Sequence, residues 1–500
     1  MRVLTLTKSV ALAASFIALN SCDNFLDVNV NPNVALTAPP ANALIAGETH
    51  LGFLMGSDLH RYTSLIAQQF SGQGGSGAQP AEYDRYNITA TDLNNAWRTG
   101  IYGGAQADLQ KLVELTQSTS PHYAGVAKIM QGFLYSVTAD AFGDIPFKDA
   151  VKFADNLQPV YDPSAEVYSG VITLINSGIE DLKATSAFSP SADDLIYGGD
   201  LKKWERFANT LKLRLYLHSF PLLSQTSNAE FATLLAAGNV MNSNADNFQL
   251  VFEANANKNN PIDQFEKARV NQFFPSATLV NLMNAKADPR RASYFTVAPN
   301  PPAPAPPLPA NTYIGAVNGT GVIGAPNTNF SRMSTYLRGT RTGTTVQAYE
   351  GAAPIRMLTF AEHNFILAEY YARIGNLASA QISFNAGITA SMTMAGIETS
   401  TTPTMSAGAV YIASRPVLTT LTAVRQIIEE KFVANFGVAV EPWTDYRRTN
   451  FPVLPVPVGA LQPSILRILP YPDLERVANP ANTPARPSLT ASSVFWDPGM

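Results

Sequence analysis

Six aromatic residues in or near turn-rich stretches of the sequence are the side chains best suited to bind a ligand. Sugar rings have apolar faces on which a flat aromatic ring can stack, while Asn, Gln and Arg side chains bond the hydroxyl groups. Trp97 is also spaced with Ile101 as in a helix core, so a structural role stays open for it. The candidate ligand-binding residues are Tyr83, Tyr86, Trp97, Tyr102, Tyr313 and Tyr336.

The residue types that serve catalysis or metal binding form no comparable pattern. Adjacent acids occur at Asp193-Asp194 and Glu429-Glu430, whereas a glycoside hydrolase needs two carboxylates on opposite sides of a cleft. The five histidines show no short metal-ligand spacing, and the chain has one cysteine. Nothing in these patterns requires an enzyme, although a carboxylate pair across a cleft stays open, and we expect no bound metal and no cofactor.

The single cysteine, Cys22, directly follows a predicted signal peptide. A basic start precedes the apolar run 10–19, which is shorter than the roughly 20 residues that a membrane-spanning helix needs. The run ends Leu19-Asn20-Ser21-Cys22, an order that looks like a lipobox. The sequence predicts a lipoprotein signal peptide at 1–21, lipidation of Cys22 and a lipidated tether at 22–45.

Composition excludes one class of partner and favours a neutral polar surface. The 500 residues include 34 Lys+Arg and 38 Asp+Glu, a formal net charge of −4. A chain without basic excess is not expected to bind nucleic acid. Charged residues make up 14% of the sequence, well below the roughly 25% of an ordinary soluble domain.

These side chains must be positioned by helices, because helical periodicity dominates the sequence. Neighbouring helices with short turns predict an all-α fold of stacked helical hairpins, interrupted by long irregular loop insertions. The predicted helices cover residues 94–115, 123–142, 166–182, 201–220, 357–374, 377–392 and 421–436.

Residues 360–389 match the small and aromatic spacing of a tetratricopeptide repeat. Ala368 and Ala380 allow two helices to approach closely, Phe384 fills the space between them, and Gly375-Asn376 supplies the turn. An unrelated helical hairpin is the alternative interpretation of this segment.

Two long segments are predicted to be loops rather than helices. Residues 299–309 carry seven prolines, which favour a polyproline-II conformation. Residues 313–353 are rich in Gly, Thr and Asn. Loops of this length are usually functional or disordered.

An ordered series of short blocks resembles the SusD/RagB family of nutrient-binding outer-membrane lipoproteins. The series spans essentially the whole predicted mature chain, and it is the shared order that makes it specific. The blocks are Cys22-Asp23-Asn24-Phe25-Leu26-Asp27, Trp97 with Tyr102, Trp204-Glu205-Arg206-Phe207-Ala208-Asn209-Thr210-Leu211-Lys212-Leu213-Arg214, Asp288-Pro289-Arg290, Phe360-Ala361-Glu362, Ala368-Glu369, Glu429-Glu430-Lys431-Phe432, Glu441-Pro442-Trp443-Thr444-Asp445-Tyr446-Arg447-Arg448-Thr449, Leu469-Pro470-Tyr471-Pro472 with Glu475 and Asn479, and Val494-Phe495-Trp496-Asp497.

The resemblance implies a fold, a location and partners. It implies a SusD-like helical nutrient-binding domain at 46–500 with four tetratricopeptide-like units. It also implies a lipid-anchored protein on the surface of a Bacteroidetes-type outer membrane, which delivers nutrient to a SusC-like TonB-dependent transporter. The implied ligand is an oligosaccharide or, in some relatives, a peptide, and no catalysis is expected.

Most of the matched blocks have a structural interpretation. We expect Asn209, Arg214, Trp443 and Asp445 to hold helices and C-terminal loops together, with a buried Arg–Asp pair among the blocks. Two other functions stay open at this point. One is a helical-repeat scaffold that binds protein or peptide partners, and the other is a lipid-anchored glycoside hydrolase.

Overall fold

The structure is a computed structural model that describes residues 39–220, 224–299, 307–322, 329–486, 488–492 and 494–499. The predicted signal peptide 1–21, Cys22 and the tether as far as residue 38 lie outside the described residues. So do residues 300–306 of the seven-proline segment. Among the helices that are described, none combines the length and the apolar character needed to cross a membrane.

Helices account for most of the described chain, as the periodicity predicts. They are α1 (Pro40–Gly56), α2 (Asp58–Ile66), α3 (Gln79–Asp84), α4 (Ala107–Thr116), α5 (Pro121–Phe142), α6 (Ser164–Lys183), α7 (Leu201–Ser219), α8 (Ser224–Ala237), α9 (Pro261–Ala268), α10 (Ala277–Ala285), α11 (Arg291–Tyr294), α12 (Thr335–Arg338), α13 (Phe360–Arg373), α14 (Leu377–Met394), α15 (Ala407–Ala413), α16 (Ala423–Ala434), α17 (Glu441–Thr449) and α18 (Asp473–Ala478).

The structure describes three short antiparallel strand pairs, and two of them join distant parts of the chain. The strands are β1 (Phe70–Gly72), β2 (Ile145–Pro146), β3 (Tyr161–Asp162), β4 (Phe248–Leu250), β5 (Phe273–Pro275) and β6 (Ile355–Leu358). Strand β1 pairs with β5, β2 with β3, and β4 with β6. Each pair fastens a loop insertion to the helical framework.

Four helix pairs form the framework. Helix α1 packs against α4 and the wide helical segment Ala96–Gln106, α5 against α6, α7 against α8, and α13 against α14. The closest approach is between α5 and α6. A Cβ atom added to Gly125 would lie 2.7 Å from the Gly178 carbonyl oxygen, so only glycine fits there. The expectation of an all-α fold of tetratricopeptide-like helical hairpins with irregular loop insertions is confirmed.

The hairpin predicted at 360–389 forms as expected. Ala368, Ala380 and Phe384 are buried between α13 and α14. Gly375 has φ of 81°, which favours glycine in the turn, and the Asn376 side chain accepts a hydrogen bond from the Ser379 N–H to begin α14.

Two predicted helix boundaries are wrong. The window 357–374 begins with strand β6, and the helix begins at Phe360, because the Thr359 hydroxyl caps it by accepting from the Glu362 N–H (3.2 Å). In the window 94–115, the segment Ala96–Gln106 is π-helical and breaks at Gly104 before α4. Apolar spacing alone marks neither a cap nor a wide turn.

The tether predicted at 22–45 is too long at its C-terminal end. Helix α1 begins at Pro40, a residue type that suits the first turn because it lacks a backbone N–H. Ala43 and Leu44 are already buried in the core. The apolar face of α1 therefore belongs to the folded domain.

Buried ion pairs connect helices, some of which are far apart in the sequence. The Arg214 guanidinium on α7 donates to Glu362 on α13 at 2.8 Å. The Lys431 ammonium on α16 lies 2.6 Å from Glu441 on α17. All four side chains are at most 4% exposed. Because removing one member leaves a buried charge without its partner, such pairs fix the relative placement of their helices.

Among the described residues, Arg448 pairs with Asp445 of its own block (2.7 Å) and, across the blocks, with Glu369 rather than with an aspartate (2.9 Å). Arg214 pairs with a glutamate instead. The Asn209 amide and the Trp443 indole N–H each donate to a backbone carbonyl of another segment, at 2.8 and 2.7 Å. The structural interpretation of these four residues is therefore confirmed.

Candidate functional site

A groove of about 680 Å³ opens between the segment after α11 and the irregular segment around α12. Four aromatic rings line it: Phe295, Tyr313, Phe330 and Tyr349. Three arginines, Arg332, Arg338 and Arg341, complete the charged part of its wall. We call this cavity the arginine groove.

Backbone hydrogen bonds hold the two walls together. The Thr296 N–H donates to the Arg332 carbonyl (2.9 Å), and the Arg332 N–H donates to the Thr296 hydroxyl (3.0 Å). Arg341 and Tyr349 face each other in an isolated antiparallel bridge. The groove is thus built from loop insertions that are fixed by bonded backbone rather than from a helix surface.

Two of the arginines are anchored from behind by buried acids. Arg332 donates to Glu266 (2.8 Å), and Arg338 donates through Nε to Asp263 (2.7 Å). Burial raises the pKa of Glu266 to about 7, although the charges of Arg332 and Arg338 act in the opposite direction. These acids position the guanidinium groups without being part of the groove wall.

One buried donor of these arginines has no acceptor among the described residues. Arg338 Nη1 donates to the Val346 carbonyl (2.6 Å), while its Nη2 has no hydrogen-bond partner among the described residues. Its guanidinium lies 4.2 Å from the centre of the Tyr349 ring. Arg341 is exposed and donates to the Thr344 carbonyl (2.9 Å). The groove therefore offers aromatic faces beside cationic donors.

The six predicted aromatic residues are dispersed. Tyr313 lines the arginine groove, where the Arg291 guanidinium lies 5.3 Å from its ring centre. Tyr102 is half-buried, and its hydroxyl donates to the Pro146 carbonyl (2.7 Å). The other four rings are covered by protein in this structure, and they are Tyr83, Tyr86, Trp97 and Tyr336. A ligand role for those four, and for Tyr102, stays a prediction.

Their burial follows from the elements that carry them. Tyr83 lies on α3 rather than in a loop, and its hydroxyl donates to Asp92 (2.8 Å). Trp97 packs against other aromatic rings, with Tyr161 parallel at 6.1 Å, which is the core role left open for it. Tyr336 lies on α12 under the Arg356 guanidinium at 3.8 Å.

A second cavity, of about 710 Å³, is less suited to a ligand. Its lysines are already engaged, since Lys111 lies 3.9 Å from the Phe153 ring centre and 2.7 Å from Glu114. Its other aromatic residues, Tyr135 and Phe147, pack edge to face against each other at 4.9 Å. The cavity presents fewer unused donors than the arginine groove.

Comparison with protein families decides the assignment. A family model named SusD-like, described as starch-binding and associating with the outer membrane, matches residues 44–472. The chain belongs to the SusD-like family. Comparison with curated protein sequences gives no match.

Solved structures share the SusD-like fold over nearly the whole chain. A SusD homologue from Bacteroides uniformis is 20% identical, with a TM-score of 0.74 over 92% of this chain and 99% of that one. A chitin-binding SusD homologue from Flavobacterium johnsoniae is 20% identical, with a TM-score of 0.74 over 92% and 98%. A SusD/RagB family protein from Bacteroides thetaiotaomicron is 20% identical, with a TM-score of 0.73 over 93% and 100%.

SusD-like proteins bind carbohydrate and are not enzymes. The adjacent acids Asp193-Asp194 and Glu429-Glu430, the sequence features considered for a glycoside hydrolase, agree with this. The Asp194 carboxylate accepts from the Trp204 indole N–H (2.8 Å), and Glu430 accepts from Arg290 (2.7 Å), both in the interior. Their partners give them structural roles.

The sequence interpretation missed most of this SusD-like protein's arginine groove. Arg338, Arg341 and Tyr349 lie in the segment described only as rich in Gly, Thr and Asn. A usable signal was present, because residues 289–349 contain five arginines and no Asp or Glu. An arginine-rich segment that contains no acid, in a mildly acidic chain, indicates a binding surface.

Proposed function

We propose that this SusD-like protein captures oligosaccharides at the cell surface and delivers them to a SusC-like TonB-dependent transporter. Family membership supports carbohydrate binding and association with the outer membrane. The observation that carries the proposal is the arginine groove, where the half-buried Tyr313 ring stands beside hydrogen-bond donors. That combination suits the apolar face and the hydroxyl groups of a sugar ring.

The anchor and the location are part of the same proposal. Lipidation of Cys22 would tether the domain to the outer membrane, with the binding loops facing outward. A chain held beside a transporter raises the local concentration of captured ligand at the pore. The association of the SusD-like family with the outer membrane supports this arrangement.

The test is binding of the soluble chain, beginning at Asp23, to oligosaccharides and peptides by titration calorimetry. We expect a saccharide ligand, with affinity reduced about three- to tenfold in Tyr313→Ala because a stacking surface is lost. Tyr216→Ala is the control, since this half-buried tyrosine lies on α7 and does not line the groove.

Other outcomes assign other functions. Binding of peptides alone would keep the uptake role and change the nutrient. Binding of neither class, together with unchanged uptake after gene deletion, would contradict the proposal and favour a helical-repeat scaffold.

A further inference from the structure

The arginine groove lies in an unusually cationic part of an acidic protein. The net charge of the chain is −4, yet residues 289–349 hold five arginines and no Asp or Glu. Three of those arginines line the groove, and the described lining residues include no acid. A wall that carries positive charge attracts ligands that carry negative charge.

The charge of the wall is only partly neutralised. Glu266 and Asp263 compensate Arg332 and Arg338, and both acids are at most 1% exposed behind the groove. Arg341 has no acidic side chain within 4.0 Å among the described residues and is open to solvent. At least one full positive charge therefore faces the cavity.

A buried donor in the same wall also lacks an acceptor. Arg338 Nη2 makes no hydrogen bond within the described chain, although Nε and Nη1 both do. A buried guanidinium N–H without an acceptor is costly, and an anionic oxygen is the strongest acceptor for it. Arg338 is the last residue of α12, and Arg341 follows it three positions later in the sequence.

We propose that the groove takes acidic saccharides, whose carboxylate or sulfate group is bound by Arg341 and Arg338 while a ring packs against Tyr313. This inference rests on the proposed function and specifies its substrate class. Neutral sugars would use the aromatic faces and leave the cationic donors without an anion. Guanidinium groups suit both carboxylate and sulfate, because each presents paired oxygens to the planar N–H fork.

The experiment compares hexasaccharides of matched length by titration calorimetry on the soluble chain beginning at Asp23. The probes are a neutral galactan, an oligogalacturonate and a sulfated galactan. We expect at least about a tenfold preference for one acidic probe over the neutral one, and a loss of that preference at high salt. Comparison of the oligogalacturonate with the sulfated galactan distinguishes a carboxylate ligand from a sulfate ligand.

Variants assign the effect to the groove. Arg341→Gln should lower the affinity for the acidic probe about tenfold and the affinity for the neutral probe much less, while Arg341→Lys should retain part of the acidic affinity. Arg476→Gln is the control, because this exposed arginine lies on α18 and lines no part of the groove. Thermal unfolding checks that each variant is folded.

The failures are distinguishable. Equal or tighter binding of the neutral galactan, or acidic binding that Arg341→Gln does not weaken, would overturn the inference and leave carbohydrate capture standing. Absence of binding to all three probes and to the wider oligosaccharide panel would overturn both proposals.

Discussion

Glu430 shows how a single buried carboxylate is kept ionised in the interior. It accepts hydrogen bonds from Arg290 (2.7 Å), Lys286 (3.0 Å) and the Tyr411 hydroxyl (2.7 Å). Burial by itself would raise its pKa, but Lys286, Arg290 and Tyr411 together lower the pKa of Glu430 to about 2. A carboxyl group with a depressed pKa stabilises the fold above its unfolded pKa and loses that contribution as pH falls.

We therefore predict a pH-dependent cost for Glu430→Gln. At pH 7 the variant should lose about 3 kcal/mol of unfolding free energy, a value that follows from a depression of roughly two pKa units. The gap to wild type should close as pH falls from about 4.5 toward 2, where the wild-type carboxylate becomes protonated. Urea unfolding, followed by tryptophan fluorescence, measures the unfolding free energy of both proteins at pH 7 and at lower pH.

The control for this prediction is Glu114→Gln, which removes an exposed partner of Lys111. Its effect should stay within about 1 kcal/mol at every pH, as is usual for surface ion pairs. A Glu430→Gln gap that is independent of pH would contradict the assigned ionisation.

At the level of single residues, the sequence predicted little of the groove. Tyr313 was identifiable because it stands in a long irregular segment. Tyr83 and Tyr86 follow an equally loop-like stretch but are buried. Whether a tyrosine in such a stretch points inward depends on which distant strand the loop pairs with, and β1 pairs with β5 about two hundred residues away. Local spacing does not carry that information.

At the level of elements, the pairing of α5 and α6 depends on two glycines. A Cβ atom on Gly178 would lie 2.9 Å from the Gly125 carbonyl oxygen, and one on Gly125 would lie 2.7 Å from the Gly178 carbonyl oxygen. The backbones approach so closely that neither helix can carry a side chain at the crossing.

We predict that Gly178→Ala destabilises the protein by about 1–3 kcal/mol, although alanine has the higher helix propensity. Overpacking against backbone exceeds the propensity gain because the carbonyl cannot move without displacing α5. Thermal and urea unfolding measure the change. The matched control on α6 is Thr173→Ala at an exposed position, which should be neutral or slightly stabilising. Equal stability of the two variants would contradict the close crossing.

Element types were predictable where amphipathic periodicity was long. The helices α5, α6, α7 and α14 lie within a few residues of their predicted windows. The short α9, α10 and α17 were missed because two turns hold too few apolar residues to reveal a period. Strand β6 was read as helix because its pairing partner β4 lies far away in the sequence.

At the level of the whole molecule, the folded domain and its attachment are separable. Helix α1 begins at Pro40, so residues 23–39 connect the predicted lipid site to the domain. Cys22→Ala should therefore move the protein from the membrane fraction to the soluble fraction without changing its unfolding temperature. Fractionation and thermal unfolding measure the two properties. Asp23→Ala is the control that should stay in the membrane fraction, and retention of the Cys22 variant there would contradict a lipid anchor.

Some buried contacts join residues that are far apart in the sequence, and the core is complete only when both partners are present. The Gln69 side-chain amide donates a hydrogen bond to the Phe432 carbonyl (2.9 Å), and the Arg214 guanidinium donates one to Glu362. Each of these bonds needs a segment that is made later. Contacts of such long sequence separation form late, because the intervening chain must first be present. For a protein that we propose is exported, the N-terminal half cannot finish folding before the C-terminal third is available. Because Gln69 and Arg214 meet their partners only when residues 432 and 362 are present, a chain that we propose is exported lacks these contacts until its C-terminal third has been made.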